Sequence, residues 1–332
     1  MSDPNGGPTV STYRGPIPVA DLGRTLMHEH IFCTTAEIEA SGLDRYWDED
    51  FVVERAIGKL TALKAAGIDT LVDCTVPGLG RKVQAVARVA EGSPVNIIPA
   101  TGLYAVGGLP FYFAFRGPGT PIPGDDPMDA LFLREIENGI AFTDIKPAFL
   151  KCAVENNDPD SQLNRPIGAV ARVSAETGLP VQVHTDVFQQ TGITALDILG
   201  KFGADVSRVV IGHSGDSNDR DYLKKIFDSG AFVGFDRFGI DFFNAPEARV
   251  ETLVAVIEAG YVDQIVLSHD AHTYNDVAPD ASSEAAMSAI LPDHNYNYIP
   301  EKLLPILRDR GVSDADIDKM LVGNPARFFG GK

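Results

Sequence analysis

Eight short apolar runs, rich in β-branched residues, recur along the chain and alternate with segments of helical period. That alternation limits the possible folds more than composition does. The runs predict strands at 25–27, 70–75, 96–101, 149–153, 181–184, 209–213, 232–235 and 265–268. Each is apolar at successive positions and bounded by turn residues, as strands covered on both faces are. Between them, 51–66 places Val52, Ala56, Leu60 and Leu63 on one helical face and halts at Gly67. The segment 166–177 halts at Gly178 with Pro180 just beyond, Asn218 can cap a helix running to Phe227, and 246–259 ends at Gly260. Strand and helix in eight successive units predict an α/β fold, a single (β/α)8 TIM barrel over residues 1–332. A doubly wound open sheet is the alternative, but no glycine-rich dinucleotide fingerprint follows the first strand.

Two connections are too long for simple crossovers. The segment 105–127 is rich in Gly and Pro and holds Phe111, Tyr112, Phe113 and Phe115; the segment 271–300 carries Asp276, His294, Tyr296 and Tyr298. Both are expected over the C-terminal face of the strands, where substrate loops belong. The aromatic cluster suits substrate contact, but equally a packed loop or a subunit contact.

Residues able to ligate metal stand at the ends of the strand runs. In chain order they are His28 and His30 in Leu-Met-His-Glu-His, Lys151 in Phe-Leu-Lys-Cys-Ala, His184 in Val-Gln-Val-His-Thr, His213 in Val-Ile-Gly-His-Ser, and Asp270 in Val-Leu-Ser-His-Asp. On extended backbone His28 and His30 point to one side and Glu29 to the other. A lone His-X-His is weak, and one histidine at a strand end is commonly a satisfied core residue. Four more ligand-type residues at the same depth on later strands favour a metal site at the C-terminal face. Lys151 would be costly there as an ammonium. It is either paired with one of the many acidic residues or neutral, and a neutral amine can take up carbon dioxide to become a carbamate that bridges two divalent cations. Asp270 suits metal ligation or proton acceptance. His269 should face the opposite side as a structural residue, and His272 and His294 are expected to be solvated.

These motifs, with Gly102-Leu103-Tyr104, Gly212-His213-Ser214-Gly215-Asp216 and Asp236-Arg237-Phe238-Gly239, resemble the phosphotriesterase-like lactonases of the amidohydrolase superfamily. The resemblance runs from Arg14-Gly15-Pro16-Ile17 to Asn324-Pro325-Ala326-Arg327-Phe328-Phe329, nearly the whole chain. It implies two divalent cations (zinc, cobalt, iron or manganese), one held by His28, His30 and Asp270 and the other by His184 and His213. Carboxylated Lys151 and a hydroxide would bridge them. Tyr104 would sit near that hydroxide, and Arg237 beside the leaving-group and acyl-chain pocket. The implied reaction is attack of the hydroxide on a lactone carbonyl, with Asp270 shuttling the proton. N-acyl-homoserine lactones are the favoured substrates, which would make the enzyme a quencher of bacterial signalling. Slow phosphotriesterase activity is expected beside it, and a homodimer follows from the resemblance.

Two departures from the resemblance stand out. Many relatives carry a Trp in the eighth loop just after an Asp that matches Asp276; here the residue is Val277, and the only Trp is Trp47. The acyl-chain pocket is therefore expected to differ in shape. Asp186 stands where relatives often have His or Asn, and is expected near the metals' outer shell. Rival readings are another dinuclear amidohydrolase acting on a cyclic amide, a serine hydrolase around Ser214, and a ligand-binding barrel without turnover. The serine reading lacks the nucleophile elbow, because Asp216 takes the place of its last glycine.

A formal charge of −18 argues against nucleic-acid or anionic-membrane partners. No apolar run approaches the roughly 18 residues of a membrane span, and the start, Met-Ser-Asp-Pro-Asn-Gly-Gly, lacks a signal-peptide pattern, so a cytoplasmic location is expected. Cys33, Cys74 and Cys152 have no zinc-ligand spacing and are expected to be reduced and buried.

Overall fold

All eight predicted runs form strands, and their parallel ladders build the barrel. A computed structural model describes residues 6–42 and 47–331; the leading stretch Met1–Asn5 lies outside the described residues. The barrel strands are β1 (Thr25–Glu29), β2 (Thr70–Asp73), β3 (Asn96–Ile98 and Ala100–Leu103, interrupted at Pro99), β4 (Phe149–Val154), β5 (Val181–Thr185), β6 (Val209–Ile211), β7 (Phe232–Phe235) and β8 (Ile265–Leu267). Each pairs in parallel with the next from β1 through to β8. A cyclic order of this kind rules out the doubly wound alternative.

Helices α1 (Glu49–Ala65), α2 (Val83–Gly92), α3 (Pro127–Asn138), α4 (Arg165–Thr177), α5 (Thr191–Lys201), α6 (Arg220–Asp228), α7 (Pro246–Glu258) and α8 (Leu304–Asp309) follow the strands in turn. Asp48 caps α1 by accepting from the Phe51 N–H, and Gly178, at φ 72°, ends α4 in the left-handed region that suits glycine. The cap of α6 is Asp219 rather than Asn218. The Asn218 amide is instead engaged with Asn244 and Thr252.

Two apolar layers follow from strands covered on both faces. Outward residues such as Leu71, Ile97, Val183 and Leu267 pack with the helices. Inward residues, among them Met27, Val72, Phe149, Val210, Phe232 and Val266, join Phe328 and Phe329 of the last helix. No helix among the described residues is long and apolar enough to cross a membrane.

No regular ladder joins β8 to β1 among the described residues, and the seam is closed by side chains. The His28 N–H donates to Ser268 Oγ at 2.8 Å, and the Asp270 N–H donates to the His28 carbonyl at 3.1 Å. Glu29, fully buried, accepts from Ser268 Oγ, the His269 N–H, His269 Nδ1 and the Ala271 N–H at 2.6–2.9 Å. His269 Nε2 in turn accepts from the Ile299 N–H at 3.0 Å, the structural role expected of it.

The strands β6 and β8 end sooner than their apolar runs suggest. His213 and Asp270 lie beyond them in the left-handed region, at φ 63° and 59°. Their N–H groups go to Asp236 Oδ1 and the His28 carbonyl instead of to a ladder. Strain of this sort in non-glycine residues concentrates at functional sites.

The segment 271–300 does not float free. Tyr274–Asn275 pairs in parallel with Phe32–Cys33, and a helix at Ala281–Ile290 is capped by Asp280. Trp47 wedges edge-on against both Phe32 and Tyr274, with ring centroids 5.2 Å away in each case. In 105–127 a short helix, Phe111–Phe115, leaves Phe111, Tyr112 and Phe115 exposed.

Replacing Glu29 with Ala orphans four buried donors, so unfolding free energy should fall by roughly 3 kcal/mol or more. Denaturant titration measures this; a loss below about 1 kcal/mol, the worth of one ordinary hydrogen bond, would show that the seam is held elsewhere.

Candidate metal centre

Four imidazoles converge at the C-terminal ends of the strands, and each has one ring nitrogen held from behind. His28 Nδ1 and His213 Nδ1 lie 3.0 Å from the two oxygens of Asp236. His30 Nδ1 is 2.8 Å from Thr75 Oγ1, whose own hydrogen goes to Asp73 at 2.6 Å and leaves an oxygen lone pair for the ring. His184 Nε2 is 2.8 Å from Glu155. An acceptor behind a ring favours a hydrogen on the nitrogen facing it and an inward lone pair on the other, although between His213 Nε2 and His184 Nδ1, 2.8 Å apart, one of the two carries the shared hydrogen.

The inward atoms crowd one space. His28 Nε2 is 3.1 Å from Lys151 Nζ and 3.6 Å from Asp270 Oδ1. His30 Nε2 is 3.2 Å from the same Asp270 oxygen, and His213 Nε2 is 2.8 Å from His184 Nδ1 and 4.0 Å from Asp270 Oδ2. Lys151 is buried and makes no ion pair among the described residues, so it is not the acid-paired lysine of the first alternative. All six side chains expected in the site are therefore brought together. His28, His30 and Asp270 form one group placed to hold a metal ion; His28, His213 and Asp236 are equally close together, but there Asp236 occupies the Nδ1 atoms on the side away from the shared space.

Electrostatics agree with this donor set. Burial, reinforced by Lys151, keeps His28 below its ordinary value; burial and Arg237 keep His213 well below; burial brings His184 down to about 4. Those three rings are neutral near pH 7, as ligation requires. His30 is the exception. Burial opposes its charge, but Cys33 and Asp270 outweigh burial and push it well above the ordinary value. Burial likewise opposes charge on Asp270 and Asp236, yet the neighbouring histidines hold both carboxyls well below the usual range. A cation could take over the role of the His30 proton beside Asp270, so the residues present fit a divalent metal centre.

Arg237 Nε contacts Asp270 Oδ2 at 3.2 Å, and its Nη1 reaches Asp216 at 3.5 Å. Asp216, which burial pushes up to about 6, is gripped from behind by the buried Arg249 at 2.7 Å. The Tyr104 ring stands edge-on to His184 at 5.1 Å, and burial raises its phenol. Asp186 accepts from the Phe188 and Gln189 N–H groups of its own loop and lies close enough to Glu155, the acceptor behind His184, for its charge to be felt there. Other expectations are corrected. His272 and His294 are half-buried with rings 5.6 Å apart, because the final loop folds back over them. Cys33 is partly exposed, unlike Cys74 and Cys152. Ser214 is buried, and among the described residues its one side-chain hydrogen bond is a long contact to the Tyr222 hydroxyl, with no base beside it to activate it as a nucleophile.

Asp236, Glu155 and Glu29 had no role assigned from sequence. Asp236 could have been found, since it immediately follows β7 at the depth where the other strands carry their ligands. Space for it depends on glycine: a Cβ on Gly234 would lie 2.4 Å from Asp236 Oδ2.

An α/β barrel with such a cluster at its strand ends defines the class of metal-dependent hydrolases. A family model, the phosphotriesterase family, matches residues 8–329. A solved structure described as the phosphotriesterase from Mycobacterium tuberculosis superposes with a TM-score of 0.92 at 43% identity, covering 97% of this chain and 98% of that one. An aryldialkylphosphatase of Saccharolobus solfataricus is 32% identical over 312 residues, 93% of this chain and 95% of its own. More distantly, an N-acetyltaurine hydrolase of Xenopus tropicalis is 25% identical over 360 aligned positions, 96% of this chain and 97% of its own. The chain belongs to the phosphotriesterase family.

Two outcomes follow for this cluster. Asp236→Ala should weaken metal affinity by ~10–100-fold, measured by chelator competition, because two rings lose their orienting acceptor. The His184 value of about 4 lies below its unfolded 6.5, so the unfolded chain binds that proton first and stability drains away as pH falls between them. Over that window the metal-free His184→Asn variant should lose less melting temperature than the metal-free wild type; an equal loss would exclude His184 as a source of the acid sensitivity.

Proposed function

We propose that this phosphotriesterase-family hydrolase opens lactones, N-acyl-homoserine lactones foremost, and cleaves phosphotriesters slowly beside that activity. The observation that carries the catalytic part is the set of four imidazoles, each held from behind and turned toward one space shared with Lys151 and Asp270. In this reading His28, His30 and Asp270 would hold one divalent cation and His184 and His213 the other, and carboxylated Lys151 would serve as a shared ligand. Such a pair supplies an acidified water and a Lewis acid for the carbonyl oxygen.

The chain's own residues do the rest. Asp270, ionised near neutral pH, is placed to accept the proton of the attacking water and pass it to the departing alkoxide. Arg237 orients that carboxylate and brings a fixed positive charge to the side where the alkoxide and the new carboxylate form. Its guanidinium is itself steadied 4.3 Å above the Phe243 ring. Beside it, Phe188 and Phe242 are largely exposed, an apolar rim suited to an acyl chain. Val277 is also exposed, so it raises no aromatic wall of the kind its relatives place there, and a broad acyl pocket is expected.

The test is metal analysis coupled to a panel of lactones, esters, amides and phosphotriesters. Lactones should show the highest kcat/KM. If amides win, the second reading replaces the first; it is favoured by the N-acetyltaurine hydrolase among the relatives. Lys151→Ala should lower metal content and activity together, and retention of two metals would remove Lys151 from its bridging place. Arg237→Ala should alter acyl-chain preference at constant metal content, whereas a fall in stoichiometry would show it to be part of the metal cluster.

A further inference from the structure

A cavity of about 220 Å³ lies between α1 and the segment after β8, and none of the six inward-facing groups lines it. Its charged lining is Arg55 and Lys59, which enter from one flank of α1, against a single carboxylate, Glu284; His272 and His294 from the final segment add rings that burial keeps neutral. That carboxylate is taken, because Arg55 pairs with it. Lys59 keeps only a 3.3 Å contact to the Thr273 carbonyl. Elsewhere Lys64, Lys82, Lys224, Lys302 and Lys319 each reach a carboxylate, in a chain with 46 acidic against 28 basic residues. Lys151 of the inward-facing cluster apart, a sheltered lysine with no acid partner among the described residues stands out in so acidic a protein. Two like charges at i and i+4 on one helix also repel each other.

Donors are left over. The Lys59 ammonium uses one of its three hydrogens, and neutral His272, which makes no hydrogen bond among the described residues, keeps its one ring N–H; His294 already donates its Nε2 hydrogen to the Asp270 carbonyl at 3.1 Å. Met287 and Leu291 complete the wall with apolar surface. We propose that this cavity binds a small organic anion, its carboxylate or phosphate-type head on Lys59 and its short apolar body against Met287 and Leu291. Such an anion would supply the missing counter-charge for Lys59, which burial and Arg55 otherwise bring down to about 8. His294, in the same wall, donates to the Asp270 carbonyl, so the cavity borders the backbone of that residue.

Crystals of the metal-loaded enzyme soaked in selenate or in p-bromobenzoate test this by anomalous diffraction. A peak beside Lys59 Nζ is expected in the wild type, retained in Lys59→Arg and lost in Lys59→Met, while any anion at the metal cluster persists in all three. An empty cavity with both probes, or equal occupancy in Lys59→Met, would overturn the proposal. Kinetics then separate two sources of the anion. If it is the substrate's own remote acid, KM for lactones with a carboxylate at the end of the acyl chain should rise roughly tenfold in Lys59→Met, and that for their methyl esters should not change. If it is a separate molecule, p-bromobenzoate should shift KM for neutral lactones in the wild type and not in Lys59→Met. Only this kinetic arm rests on the lactonase reading; the diffraction result stands whatever the substrate.

Discussion

One buried carboxylate closes this barrel. Parallel strands joined edge to edge must meet somewhere, and among the described residues β8 meets β1 without a ladder. Glu29 supplies the acceptors that a neighbouring strand would have offered to Ser268, His269 and Ala271. The arrangement places His28 and His30 on one lip of the seam and Asp270 on the other, so the groups with most of the chemistry meet where regular pairing stops. A regular ladder could not have carried Asp270 at φ 59°. The irregular backbone is tolerated because side chains satisfy what the sheet leaves open.

Behind the imidazoles a second layer of acceptors does for direction what the strands do for position. Asp236 is its centre, since its two oxygens serve His28 and His213 at equal distances. Buried between two rings, that carboxylate stays ionised and favours inward lone pairs on both. On the opposite flank Arg249, Asp216 and Arg237 form a chain of alternating charge that ends on Asp270. Each member is anchored by the next, so Arg237 approaches the cluster from a fixed direction.

What could be seen in the sequence was what is local. Apolar runs and their stop signals gave the strands and helices because burial on both faces is written residue by residue, and the motif residues were visible because ligand chemistry needs particular side chains. The misplaced ends of β6 and β8 have another origin: the His213 N–H is claimed by Asp236, 23 positions away, and no local pattern announces that. Asn218 lost its place as a cap to Asp219 for the same reason, its amide being drawn to α7 and Asn244. Glu29 and Glu155 looked like ordinary acidic residues until tertiary structure supplied their partners. His272 and His294 were expected in solvent because their segment is polar, but the fold turns it back against α1.

Trp47 comes from the connection after β1, yet its indole sits against Tyr274 from the far end of the chain, with the Lys82 ammonium 4.4 Å over the ring. Together with the short pairing of Phe32–Cys33 to Tyr274–Asn275, it fastens two rim loops into a single plate. Lifting either alone would break an aromatic wedge and a strand pair at once. The rim on this side is thus tied down from two distant parts of the chain, whereas Phe188 and Phe242, on the loops after β5 and β7, stand largely exposed.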